Sequence, residues 1–213
     1  SKVILAVGIS LLCSVIPLFA VSRSFILSSF TELEQKDLQT NVIRLRAALG
    51  EEFRALESKG RDWGAWDDTR DFVQSGNPSY IESNLTSTAL IGIGLHFMAF
   101  LNDSGEVVYA KGIDAQRKKD ASFPQDLLDY IMNHRHLLQH DNADDGHTGF
   151  VALPHRLALI AVWPITNSQG TGPACGTLVL GRIMGHRDFE QIGRRLSLKT
   201  VLMRLDQPAD LSA

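Results

Sequence analysis

The chain has 213 residues, with 21 Lys and Arg against 24 Asp and Glu, for a formal net charge of −3. That balance, with no basic run and no basic stripe interleaved with aromatics, argues against a nucleic-acid partner. Its two cysteines, Cys13 in an apolar N-terminal stretch and Cys175 in a loop, are not placed to pair, so an extracytoplasmic domain here would be disulfide-free.

Val3 to Val21 carries no charge and is interrupted only by Gly8, Ser10, Ser14 and Pro17. A run of roughly 17–25 such residues is long enough to cross a bilayer as a helix. Lys2 and Arg23 flank it on both sides, so the charges do not settle orientation. Ala20-Val21-Ser22 resembles a small-x-small cleavage site, which leaves a cleaved signal as the alternative to a retained anchor. The apolar stretch exceeds a usual signal-peptide core, and nothing else in the chain is apolar enough to surround it as a buried helix. The expectation is a transmembrane anchor over residues 1–22.

From Ser22 to Lys59 there is no proline, and Gly50 is the only glycine. Leu38, Val42, Leu45, Leu49, Phe53 and Leu56 recur at spacings of three and four, one apolar stripe on a long helix. Residues 23–59 therefore read as a stalk helix, its stripe covered by its own domain, by a second stalk, or by each in turn. Gly60 is well placed to cap it.

The next stretch, Asp62-Trp63-Gly64-Ala65-Trp66-Asp67-Asp68-Thr69-Arg70-Asp71-Phe72, holds two of the three tryptophans and four aspartates. At helical spacing Trp63, Trp66, Asp67 and Arg70 share one face. Indole is rigid and carries one N–H donor, so such a face suits a wall for a small polar or cationic ligand. The alternative is that the rings are core while the aspartates are solvated or cap the helix. Gly76-Asn77-Pro78 ends this helix, and Ser79 to Leu90 has room for another short one.

Beyond Gly92 the pattern turns to strands. His96–Leu101 and Glu106–Lys111, joined by Asn102-Asp103-Ser104-Gly105, form a hairpin. Phe123-Pro124 opens a helix to about Leu138. Strands are predicted at Gly149–Leu153, Leu157–Ile165 and Thr177–Ile183, a helix at His186–Leu196, and a last strand at Thr200–Leu205. Strands joined by short turns make an antiparallel sheet with helices gathered on one face, an α+β arrangement of the kind PAS-like sensors show. No fingerprint of a parallel nucleotide-binding sheet is present. His136 and His140 would be a chelating pair at i and i+4, but His134 points elsewhere and no cysteine joins them, so no metal site is assigned.

A second motif, Gly172-Pro173-Ala174-Cys175-Gly176-Thr177-Leu178-Val179-Leu180-Gly181-Arg182, follows the tryptophan motif by about a hundred residues. A Trp-x-x-Trp-Asp-Asp-Thr helix after a membrane-proximal long helix, then Gly-Pro-x-x-Gly-x-Leu-x-x-Gly-Arg, resembles the fourth class of CHASE sensor domains. The resemblance covers roughly Leu38 to Leu205. It implies a PAS/Cache-like antiparallel sheet flanked by helices over residues 60–206, with 207–213 a tail leading to a further C-terminal part. It implies a ligand-sensing input domain in the periplasm, anchored in a bacterial inner membrane, without catalysis of its own. The expected output is a cyclic-di-GMP enzyme, a histidine kinase or a chemoreceptor-type module.

In that arrangement Trp63, Trp66, Asp67, Arg70, Tyr109 and Arg182 are the ligand-binding candidates. Asp62, Asp68, Gly172, Pro173, Gly176 and Gly181 are structural. Arg182 is expected to pair with Asp67 or Asp68, either as a clasp or as a carboxylate anchor. Arg70 departs from the family, whose members often carry an aromatic there. The partners implied are a small molecule, the membrane through the N-terminal helix, and a second copy as a homodimer; no cofactor is expected. The rival function is a ligand-free dimerisation or protein-interaction domain with both tryptophans as core.

Overall fold

The computed structural model describes residues 2–114 and 116–203, and for residues 3, 5–7, 9–13, 20–22 and 24–34 the backbone alone. The chain divides into two compact units, Ser1–Ala47 and Ala48–Ala213. One helix, α1 (Lys2–Gly64), runs through 63 residues and contributes to both. Among the described residues no helix is long and apolar enough to cross a membrane. Most side chains of the anchor expected at residues 1–22 lie outside the described residues. The helix does not stop at Gly60, which lies against Trp163 and Ala161; it runs on to Gly64.

The second unit continues with three short helices, α2 (Asp67–Ser75), α3 (Pro78–Asn84) and α4 (Ser87–Gly92). The strands are β1 (Phe97–Asn102), β2 (Val107–Asp114), β3 (Lys119–Ala121), β4 (His147–Leu153), β5 (Arg156–Pro164) and β6 (Gly176–Met184). Helix α5 (Gln125–Asn133) precedes β4, and α6 (His186–Leu196) follows β6. The strands form one six-stranded antiparallel sheet in the order β3-β2-β1-β6-β5-β4. The fold is α+β, an antiparallel sheet flanked by helices. Central strands β1, β5 and β6 are apolar along almost their whole length, as strands covered on both faces must be.

Helices cover both faces, not one. On the first face Phe97, Ala99, Leu101, Ala158, Ile160, Val162 and Val179 are sealed by Leu127 and Ile131 of α5. On the second, Met98, Phe100, Leu159, Ala161, Leu178 and Leu180 are buried. There Phe53 of α1 meets Phe150 of β4, and Phe72 of α2 meets Phe100 of β1. A Cβ at Gly181 of β6 would sit 2.8 Å from the Phe97 ring, so this position is closed to larger residues.

Four further elements differ from expectation. Strand β3 is an exposed three-residue edge, Lys-Asp-Ala, with no alternation to betray it. The helix expected to reach Leu138 ends at Asn133 and tightens into a 3₁₀ turn at Arg135–Leu138. The single helix expected over Ser79–Leu90 is two, because the Thr86 hydroxyl caps a new start at Ala89 N, 3.2 Å away. No strand forms over 200–203: Thr200 Oγ1 donates to Phe189 O at 2.6 Å, which turns the chain back on α6. Arg204 and Leu205 lie outside the described residues.

Candidate functional site

Gly64 decides the local geometry of the tryptophan motif. A Cβ there would lie 2.6 Å from Pro164 O and 2.9 Å from Trp163 Cδ1, so α1 presses its backbone directly on the end of β5. Its carbonyl leaves the helical ladder and accepts Thr166 N–H at 2.9 Å. The chain then turns extended at Trp66, φ −120° and ψ 126°, before α2 begins. Trp63 therefore sits in the last turn of α1 and Trp66 in the joint, so the four residues Trp63, Trp66, Asp67 and Arg70 do not share one helix face. The two indoles still meet edge to face with centroids 5.9 Å apart.

Helix α2 is amphipathic, burying Thr69, Phe72 and Val73. Phe72 stacks on Tyr80 of α3 at 4.5 Å and presents an edge contact to Phe100 at 5.2 Å and to Tyr109 at 6.2 Å. The space between α2 and the sheet is thus filled with rings. The Tyr80 hydroxyl shares a 2.7 Å hydrogen bond with Thr69 Oγ1. Burial pushes the Tyr80 phenol up to about 12, working against the Thr69 bond and helped by the Asp68 charge.

An open cavity of about 410 Å³ lies beside this cluster, between α2 and α3. Its walls are Trp66, Phe72 and Tyr80, the carboxylates Asp68 and Asp71, and a polar rim of Ser75, Asn77, Ser79, Ser83 and Asn84. Gly76, left-handed at φ 68°, closes α2 and turns the chain into α3, which Asn77 caps by accepting Ser79 N–H at 3.0 Å. Trp66 and Tyr80 face each other at 6.0 Å with planes 55° apart. Of the predicted ligand residues only Trp66 lines this cavity, joined by Asp68 from the predicted structural set.

The other candidates have different surroundings. Asp67 is an exposed tie: its N–H donates to Ser168 Oγ at 3.0 Å and its Oδ1 accepts Ser168 N–H at 3.3 Å. Hydrogen bonds donated to the carboxylate by Ser168, from its hydroxyl first and then its backbone, with a smaller contribution from Arg70, hold it below the usual range. Arg70 pairs with Asp71 at 3.3 Å and Asp67 at 3.7 Å on the outer surface. Arg182 pairs with neither aspartate. Its guanidinium pairs with Glu52 of α1, whose other oxygen lies 3.3 Å from Arg195. Arg182 faces α1 because β6 runs beneath that helix, a long-range placement with no local signal.

Gly172 and Pro173 lie in the exposed loop before β6, and Gly176 opens that strand opposite Asn102. His140 uses both ring nitrogens, toward Asp145 O at 2.8 Å and Thr177 Oγ1 at 3.0 Å, and lies outside the helix that would have paired it with His136. Burial raises the Cys175 thiol, opposite to what an activated thiolate needs. Sequence reasoning missed Asp71, Ser75 and Tyr80. Asp68, Asp71, Phe72 and Ser75 fall at i, i+3, i+4 and i+7, the spacing that exposes this wall of the cavity.

A family model described as the CHASE4 domain matches residues 48–203. The chain belongs to the CHASE4 family. The match begins where the second compact unit begins, and CHASE4 domains are sensor input domains of signalling proteins. The chain is 31% identical over 168 residues to the methanogenesis regulatory histidine kinase FilI of Methanothrix harundinacea (strain 6Ac). That alignment covers 79% of this chain but only 19% of FilI. Among solved structures, the CHASE4 fold resembles the Vibrio cholerae LuxQ periplasmic domain, at TM-score 0.51, 12% identity and 82% coverage of both chains. It also resembles the extracellular domain of vpHK1S-Z8, assigned as a histidine kinase, at TM-score 0.53 and 14% identity. That match covers 78% of this chain and 63% of the other.

Proposed function

We propose that this CHASE4 domain is the extracytoplasmic, ligand-sensing input of a membrane-bound signalling protein, and that α1 carries its signal. The observation that carries this reading is the cavity at Trp66, which opens two residues beyond the end of α1. A molecule that draws Trp66 and α3 together would load the Gly64 joint and so the helix. This works only if the molecule binds two arrangements of that joint with different affinity. The periplasmic and extracellular neighbours support a periplasmic placement, with residues 1–22 as an inner-membrane anchor. The histidine kinase relative supports a kinase output, alongside a cyclic-di-GMP enzyme or a chemoreceptor-type module. On α1, Leu38 and Val42 are each 64% exposed and Ile43 67%, an apolar stripe that suits a second copy in a homodimer.

One observation favours the ligand-free interaction reading: aromatic rings fill the space between α2 and the sheet. Thermal unfolding of the chain against amino acids, carboxylates, amines and nucleobases, repeated with Trp66→Ala, separates the two. A ligand at about a hundred times its dissociation constant adds nearly 3 kcal/mol, several degrees for a domain of this size. A shift lost in a folded Trp66→Ala variant is the expected result. No shift from any class would hand the function to the interaction reading.

A further inference from the structure

The walls of the Trp66 cavity also select a ligand class, an inference that rests on the sensor reading above. Three aromatic rings bound it, Trp66, Phe72 and Tyr80, and Trp66 keeps part of its surface open to solvent. The two carboxylates on its wall, Asp68 and Asp71, are matched by no Lys, Arg or His among its lining residues. Arg70 reaches Asp71 at 3.3 Å from outside, whereas Asp68 forms no ion pair within the described residues. Burial keeps the Tyr80 phenol neutral at any physiological pH, so it serves as a ring and not as an anion.

The second large cavity makes the contrast. It measures about 510 Å³ and mixes Arg156, Arg187, His96 and His186 with Asp114 and Asp188. Its charges offset one another, so it states no preference of sign.

We propose that the Trp66 cavity binds a small organic cation, a primary or quaternary ammonium head seated against the open part of Trp66 and neutralised by Asp68 and Asp71. The cavity and its rings make the site; the carboxylates set the sign. A cation within about 6 Å of a ring centroid is attracted by the ring quadrupole, and Trp gives the strongest such contact. Trp66 and Tyr80 touch, with centroids 6.0 Å apart, and Tyr80 is buried, so the partly exposed Trp66 is the ring that a head group at the mouth can reach. Ser75, Ser79 and Asn84 on the rim accept N–H donors from a primary amine. An anion of the same size would lie against two carboxylates with no lining cation to offset them.

The test is calorimetric titration of the full chain in detergent with tetramethylammonium, choline and ethanolamine, against acetate and glycerol as sign and size controls. Cations bind, and the controls do not. Asp68→Asn weakens the cations about tenfold, one decade of dissociation constant. Trp66→Leu weakens quaternary more than primary ammonium. Asp129→Asn, an exposed carboxylate on α5 far from this wall, leaves affinity unchanged. Asp68 is exposed in the first turn of α2, so Asp68→Asn gives up only its attraction to the helix N-terminus and folds, which circular dichroism checks. Acetate or glycerol binding that depends on Trp66 overturns the cation while the sensor reading stands. Cation binding indifferent to Asp68→Asn also overturns it. No Trp66-dependent binding of the cations overturns the cation site, while the sensor reading falls only if the wider ligand panel above also gives no shift.

Discussion

The two faces of the sheet are equally buried and built differently. Under α5, alternate side chains of β1, β5 and β6 meet Leu127 and Ile131 in one continuous apolar layer. On the opposite face the same strands meet α1 to α4, with α6 against Phe150, held by polar ties as well as packing. Arg182 pairs with Glu52, Thr69 bonds Tyr80, and Lys111 Nζ donates to Leu85 O at 3.0 Å. A close-packed apolar layer has one good arrangement, because any shift opens voids. Short helices joined by hydrogen bonds and a glycine contact can settle in more than one position. The cavity at Trp66 belongs to the second face, so on the sensor reading proposed above the sheet would be the fixed floor and the helices the part that moves.

The largest effect that tests this comparison is on the sealed face. Ile131→Ala should cost about 3 kcal/mol by denaturant unfolding, within the range for deleting a buried branched side chain. It should leave ligand response at Trp66 unchanged once the protein is folded. A cost under about 1 kcal/mol would mean that the layer relaxes easily and is no fixed floor.

A middling effect tests the tied face. Glu52→Ala strands Arg182 and Arg195 without their shared carboxylate. Breaking a fully buried pair costs about 3–5 kcal/mol; with the Glu52 side chain 18% and that of Arg182 26% exposed, about 2 kcal/mol is expected. Adding Arg182→Met should restore part of that, because the pair's worth is mostly the cost of leaving one charge alone. Strict additivity of the two substitutions would show that the tie does not couple α1 to β6.

The same contrast explains what could be read in the sequence. Strands β4, β5, β6 and helix α6 were legible to within two residues because period and turn residues are local signals. The family was legible from two motifs. The geometry inside the first motif was not: Trp63, Trp66, Asp67 and Arg70 have perfect helical spacing, yet Gly64 meets Pro164 across the fold and ends the helix between them. Arg182 finds Glu52, 130 positions away, for the same reason. Helices on both faces were missed because an amphipathic pattern such as that of α2 and α5 says that a face is buried and not against which side.

The smallest effect bears on where the two faces meet, at the start of β1. A backbone N–H can only donate, so Ile183 N–H, 3.1 Å from His96 Nδ1, fixes that nitrogen as an acceptor and puts the ring proton on Nε2. Burial lowers the pKa of His96, with Arg182 acting in the same direction and Asp188 against it. The folded state therefore holds fewer protons than the unfolded one between the lowered pKa and the ordinary value of about 6.5. Stability contributed by neutral His96 is present above about pH 6.5 and is lost as the pH falls through the folded value. His140 is lowered the same way, first by burial, so the two add. His96→Asn keeps an acceptor for Ile183 N–H and should flatten part of the slope of unfolding free energy between about pH 7 and 5. His140→Asn should flatten the remainder. A slope unchanged in His96→Asn would place the acid sensitivity at His140 alone, on the strand-facing loop before β4, and leave the start of β1 indifferent to pH.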